Sequence, residues 1–250
     1  MAAAGDDSSN THGAERPSVT RDLRTILRRW PWVSGALGVL ISALCAAGFT
    51  ALAGQVYNRG PVVALDRRLL ELVGEVRSEP AIAVWSVLTW VGDTLVVFPL
   101  AVVAGVLLVR RKRSWSPLVL LVASSAGVGS LVGLTKWIIA RPRPPALPLV
   151  GVEDGFGFPS GHSAQAAAVY LMIALLILPL LTGSRRRAAV LLAAMALTAT
   201  AMLSRIVLGV HSPSDVFGGL LLGVGWTVLL LSLRPLARSA RELLHRLAHA

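Results

Sequence analysis

The chain has little charge, few acids and almost no cysteine. Of its 250 residues only 15% are charged, and only 13 are Asp or Glu. Soluble domains carry roughly 25% charged residues. The chain therefore lacks the polar surface that a soluble fold of this length shows to water. A single cysteine, Cys45, lies inside an apolar run. That excludes an intramolecular disulfide and a cysteine-built zinc cluster, and Cys45 reads as packing. The shortage of acids leaves a formal net charge of +11. A basic excess can mark a nucleic-acid binder, but these cations fall in loops and at the ends of apolar segments, which is the pattern of membrane topology. No nucleic-acid partner is expected. No internal repeat and no second domain are visible.

Apolar side chains are abundant: 54% of residues, with a mean hydropathy of +0.68. A hydrocarbon core about 30 Å thick needs ~20 apolar residues per helix. Segments near 32–56, 80–109, 116–139, 161–181, 188–207 and 215–233 meet that length. The expected fold is all-α, a polytopic membrane protein with six transmembrane helices in a bundle over 32–233. Residues 1–31 read as a disordered, basic cytoplasmic tail, and 234–250 as a basic, amphipathic cytoplasmic tail. The first apolar run reads as an uncleaved signal anchor. Ala51-Leu52-Ala53 as a cleavage site, or Arg28-Arg29 as a twin-arginine signal, are the alternatives.

Between the first two spans, Leu65, Leu69, Leu72, Val73 and Val76 recur at helical spacing. They predict a short helix on the membrane surface, with Arg67, Arg68, Glu71 and Glu75 toward water. Gly92-Asp93 interrupts the second apolar region, which predicts a lead-in helix before the span proper. Asp93 reads first as a helix cap, although an ionisable group at membrane depth also raises a functional role. Six spans put both termini on one side. The N-terminal tail, residues 110–113, residues 185–187 and the C-terminal tail hold 16 of the 24 Lys and Arg residues, which assigns that side to the cytoplasm.

Three motifs then fall at the opposite, extracytoplasmic end: Lys136-x6-Arg143-Pro144, Pro159-Ser160-Gly161-His162, and Ser204-Arg205-x5-His211-x3-Asp215. Phosphoryl transfer spreads negative charge over three equatorial oxygens, and fixed cations aimed at them lower the barrier. Arg143 and Arg205 can each make bidentate contacts, and Lys136 supplies a point charge. Arg141 falls outside this spacing and reads as a helix-end charge. Ser160 and Gly161 open a helix whose free N–H groups suit an anion, with Ser160 also a plain N-cap. His211 with Asp215 four residues on forms a nucleophile and its orienter. The plainer alternative for Asp215 is a cap on the helix that follows, where Ser212-Pro213-Ser214-Asp215 resembles a helix start, but the histidine context favours the orienter. His162 fits a general acid. No residue cluster offers ligands for a catalytic metal, so metal-independent chemistry without a cofactor is expected.

These three motifs, intact and in order over about 136–215, resemble the signature of the type-2 phosphatidic acid phosphatase superfamily, which also includes the soluble vanadium haloperoxidases. The resemblance implies a helical bundle with an external active site. It implies phosphate binding by Lys136, Arg143 and Arg205 with Ser160 and Gly161 assisting, His162 as general acid, His211 forming a phosphohistidine, and Asp215 as its partner. Members of that family act on phosphatidic acid, phosphatidylglycerol phosphate and isoprenoid diphosphates. The Ala- and Arg-rich composition points to a high-GC bacterium and its plasma membrane. With an outward-facing site, that favours undecaprenyl diphosphate, ahead of the glycerolipids. The loop 145–158 would border the headgroup, with Leu147, Leu149, Val150, Phe156 and Phe158 touching the first lipid carbons. Two other classes compete. A non-catalytic lipid-binding member would show lost catalytic residues, and a lipid transporter would place its charges at midplane. The oligomeric state is not legible.

Overall fold

The computed structural model describes residues 31–145 and 155–248, with side chains for 33–145 and 155–233. The expected tail 1–30, the side chains of the basic C-terminal tail, and Leu147, Leu149 and Val150 lie outside this description. Among the described residues every regular element is helical. These are α1 (Pro31–Tyr57), α2 (Pro61–Val76), α3 (Glu79–Leu88) running into a 3-10 turn (Thr89–Gly92), α4 (Thr94–Lys112), α5 (Ser116–Ile139), α6 (Gly161–Ile177) with a 3-10 turn (Leu178–Leu180), α7 (Ser184–Val207) and α8 (Pro213–Ala248). Six of them are long and apolar enough to cross a membrane: α1, α4, α5, α6, α7 and α8. This is the expected six-span, all-α architecture, with the lead-in helix α3 ahead of α4.

Local signals explain the breaks. Asp93 is the N-cap of α4, its carboxylate accepting from Leu95 N at 2.8 Å, so the capping expectation holds. Pro61, Pro117 and Pro213 sit in first turns, where the missing N–H costs nothing. The fifth span begins earlier than expected. Arg185, Arg186 and Arg187 belong to the first turn of α7 rather than to a loop.

α6 is the centre of the bundle and packs against α4, α5, α7 and α8, while α1 lies mainly along α8. Small residues make this possible. A Cβ on Gly219 would sit 2.4 Å from Ser160 O, and one on Gly223 would sit 2.5 Å from Ala164 O. The pair forms a Gly-x3-Gly seam that lets α8 approach the α6 backbone closely. Polar side chains tie the interior. Ser124 and Thr227 both donate to Ala168 O, at 3.2 and 3.0 Å, and Ser125 donates to Gln165 Oε1 at 2.8 Å. Large apolar side chains face outward on the spans, among them Leu44, Leu95, Leu107, Trp137 and Leu192, as a lipid-facing surface requires.

α2 is the short helix that the spacing predicts, with one difference in its faces. Leu65, Leu69, Leu72 and Val76 are exposed by the protein, and Arg67, Arg68, Glu71 and Glu75 are exposed as well. The side against the bundle is a third face, Val62, Asp66, Leu70 and Val73, with Asp66 buried.

Candidate active site

The helix ends that carry the motifs gather at one end of the bundle. α5 ends in Ala140, a left-handed residue at φ 47° whose N–H bonds to Lys136 O at 2.9 Å. Lys136 is half-buried in that last turn. The chain then runs through Arg141-Pro142-Arg143-Pro144. Each proline pushes the residue before it toward extended backbone, and in extended backbone residues i and i+2 point the same way. Both arginines therefore reach toward the start of α8. Arg143 Nη1 lies 3.2 Å from His211 Nε2 and donates to Val210 O at 3.2 Å. Arg141 Nη1 donates to Asp215 Oδ1 at 2.6 Å, and its Nη2 donates to Asp66 Oδ2 at 2.8 Å. The reading of Arg141 as a helix-end charge is corrected here. It is drawn inward because two carboxylates lie within reach of its fork.

His211 is 1% exposed. Its N–H and that of Val210 both bond to Arg205 O, at 3.2 Å each, which fixes the turn between α7 and α8. Nδ1 faces Asp215 Oδ2 at 3.4 Å. That is long for a hydrogen bond. The partners assign the tautomer: a proton on Nδ1 toward the carboxylate, and a lone pair on Nε2 toward Arg143. Burial lowers the His211 pKa, the Asp215 hydrogen bond and charge raise it, and Arg143 and Arg205 lower it again. The balance brings it down to about 4, so the ring is neutral at neutral pH. Asp215 caps the start of α8 with the same oxygen that faces the ring. Its Oδ2 also accepts from Ser212 N at 2.9 Å, the reach-back of a capping box.

Ser160 joins this end through its backbone, its N–H donating to Asp215 O at 2.9 Å. It is the N-cap of α6, fully buried, with its hydroxyl accepting from Ser163 Oγ at 3.1 Å. At Gly161 an added Cβ would meet only Val132, at 3.8 Å. His162, in the first turn, places Nε2 3.5 Å from Asp93 Oδ2. Arg205 is buried and donates from Nη1 to Thr89 Oγ1 at 2.9 Å. Ser204 donates to the same oxygen at 3.0 Å. Two cavities open among these residues. One of about 390 Å³ is lined by Asp93, His162, Arg205 and Thr89. A larger one of about 480 Å³ is lined by Asp66, Arg67, Arg141, Arg143 and Ser212. The motif residues divide between the two: Arg143 lines the larger, and His162 and Arg205 line the smaller.

A family model described as the PAP2 superfamily matches residues 117–239. The chain is 37% identical over 142 residues to Phosphatidylglycerophosphatase B of Bacillus subtilis (strain 168), covering 55% of this chain and 67% of that one. The chain belongs to the PAP2 superfamily. It is also 34% identical over 128 residues to Decaprenylphosphoryl-5-phosphoribose phosphatase of Mycobacterium tuberculosis (strain ATCC 25618 / H37Rv), covering 50% of this chain and 63% of that one. The crystal structure of a transmembrane PAP2 type phosphatidylglycerolphosphate phosphatase from Bacillus subtilis superposes with a TM-score of 0.70 at 28% identity, covering 77% of this chain and 95% of that one. These relatives place the PAP2 chain among multi-span membrane lipid phosphatases.

Three residues that the motifs leave out belong to this site: Asp66, Arg141 and Thr89. The alternating Arg-Pro-Arg-Pro run was the available signal for Arg141, and no local signal marks Asp66 or Thr89. Phe158 is a further correction. It is fully buried and stacks on Phe49 with ring centroids 5.6 Å apart, in a cluster with Ala53 and Val56. It packs inside the bundle because α1 and α8 enclose it, while Phe156 stays exposed beside it.

Proposed function

We propose that this PAP2 protein hydrolyses a lipid phosphate or diphosphate at the extracytoplasmic face of a bacterial plasma membrane, through a phosphohistidine on His211. The observation that carries this reading is a neutral, buried His211 whose two ring nitrogens are divided between Asp215 and Arg143. Nε2 attacks phosphorus, and the bond from phosphorus to the lipid-side oxygen breaks. His162 donates the proton that this leaving oxygen takes up. Water, deprotonated by His162, then attacks phosphorus; the bond from phosphorus to Nε2 breaks, its electron pair returns to the ring nitrogen, and inorganic phosphate leaves. Arg143, Arg205 and Lys136 stabilise the equatorial oxygens, and the N–H groups at Ser160 and Gly161 complete the anion site. Ser160 contributes backbone in this scheme, since its hydroxyl is enclosed against Ser163. A methyl at Gly161 meets only Val132, so close approach of the phosphate is the better reason for glycine there. These cations fill the role that a metal would play, and turnover without added metal is part of the proposal.

The bundle end opposite the site carries Arg110–Arg113 and Arg185–Arg187, which supports cytoplasmic termini and an outward site. The domain reading is one phosphatase unit over 32–233 between two cytoplasmic tails, 1–31 and 234–250. The preferred substrate is undecaprenyl or another isoprenoid diphosphate. The name of the 37% identical relative, Phosphatidylglycerophosphatase B, favours a second reading, a glycerolipid phosphate. Rapid quench with lipid labelled in its terminal phosphate tests the mechanism. The label should appear on the protein in acid-labile, alkali-stable form and be lost in His211→Ala. Turnover with no protein-bound label under single-turnover conditions would reject the phosphohistidine.

A further inference from the structure

Asp66 lies on α2, outside the three motifs and before the family match at 117–239. It is nonetheless 3% exposed and fully engaged. Its Oδ2 accepts from Arg141 Nη2 at 2.8 Å and from the Ser214 hydroxyl, and its Oδ1 accepts from Ser214 N at 2.9 Å. Arg141 is held at both terminal nitrogens, because Nη1 donates to Asp215 Oδ1 at 2.6 Å and to Ser214 Oγ at 2.7 Å. The result is a continuous chain, Asp66–Arg141–Asp215–His211.

An isolated carboxylate beside an imidazole can rotate about its own terminal bond. Asp215 cannot, since Oδ2 is taken by Ser212 N and His211 while Oδ1 is taken by Arg141. A long arginine side chain is itself rotamer-rich, and a second carboxylate on the other arm of its planar fork removes that freedom. Buried ion pairs add little net stability over apolar packing. A three-member buried cluster is therefore better explained by the geometry it imposes on Asp215 than by the stability it adds.

We propose that Asp66 and Arg141 are positioning residues that lock the carboxylate of Asp215 and, through it, the ring of His211. The proposal rests on the reading of His211 as nucleophile. It makes α2, a helix with no motif, part of the catalytic apparatus.

The test uses the full chain purified in detergent. Asp66→Asn and Arg141→Lys are each made in the wild type and in Asp215→Ala, with His211→Ala run alongside. Asp66→Asn should lower kcat about 10–100-fold, the range for removing a partner that orients a metal-bound histidine. KM should stay within about threefold, and the loss should shrink to about twofold or less once Asp215 is Ala, because residues acting as a unit are not additive. Arg141→Lys, which keeps the charge and loses the fork, should behave likewise. Should Asp66→Asn fail to fold, Arg141→Lys decides by the same criteria. Full activity, or an equal fold loss in both backgrounds, would overturn the proposal while leaving the nucleophile reading in place. Retained activity in His211→Ala would bring down both.

Discussion

The two ends of the bundle use the same residue type in opposite ways. At one end Arg110, Arg111, Arg113, Arg185 and Arg186 stand exposed in helix ends and a short connection. At the other, Arg205 is buried, and Arg141 is fixed between two carboxylates. Exposed arginines keep their hydration and report on topology. Buried ones have lost it, a cost that is recovered only by fixed partners or by a bound anion. The exposed set carries only charge, whereas the buried set also fixes geometry, so burial and not charge count separates the two ends.

The largest effect expected from breaking the contrast is at the site end. His211→Ala should reduce kcat by about 10⁴-fold or more, as for other covalent nucleophiles. Phosphate release from the purified protein measures it. Arg205→Lys or Arg143→Lys should lower kcat/KM by about 10²–10³-fold, since a point charge does not replace a fork aimed at the transition state. The same assay checks this, and losses below about tenfold would mean that these arginines are not aimed at the reacting group.

A third expectation concerns stability. The His211 pKa falls from 6.5 to about 4 on folding, so between those values the unfolded chain binds the extra proton. Stability should decline as pH drops from 6.5 toward 4 and no further on this account below that, by on the order of 3 kcal/mol in all. Thermal melts of wild type and His211→Gln across that window should diverge, with the wild type losing more. Fourth, Gly219→Ala forces a Cβ to 2.4 Å from Ser160 O, whereas Gly133→Ala meets nothing within 4 Å. The first should cost about 1–3 kcal/mol by overpacking, and the second should stay within ~0.5 kcal/mol. The smallest effect belongs to the other end. Arg111→Gln should leave phosphate release within about twofold, because an exposed charge there touches no reacting group.

The spans were legible because about 20 apolar residues must stay together in sequence. The motifs were legible because helix ends bring their spacing to one place. Asp66 and Arg141 were not, since their pairing joins positions 75 residues apart and each looks locally like an ordinary polar helix-face or helix-end residue. Hydropathy also could not separate α6, enclosed by protein, from α1, which is largely exposed on the bundle's flank. Lipid and protein interiors are equally apolar, and what distinguishes α6 is its small residues Ser163, Ala164, Ala167 and Ala168 facing the Gly219-x3-Gly223 seam. Phe158 was misplaced for a related reason. Beside Phe156 in a loop it reads as a lipid contact, and only the fold shows that Phe49 stacks on it.

His211 is proposed to perform phosphoryl transfer on a lipid without a metal. The most direct measurement is phosphate release in detergent and excess chelator, from undecaprenyl diphosphate, phosphatidic acid and phosphatidylglycerol phosphate, with wild type beside His211→Ala. Release from at least one lipid by wild type and none by the variant is the predicted result. Folded wild type that releases no phosphate from any of the three, or only with added metal, would contradict the account.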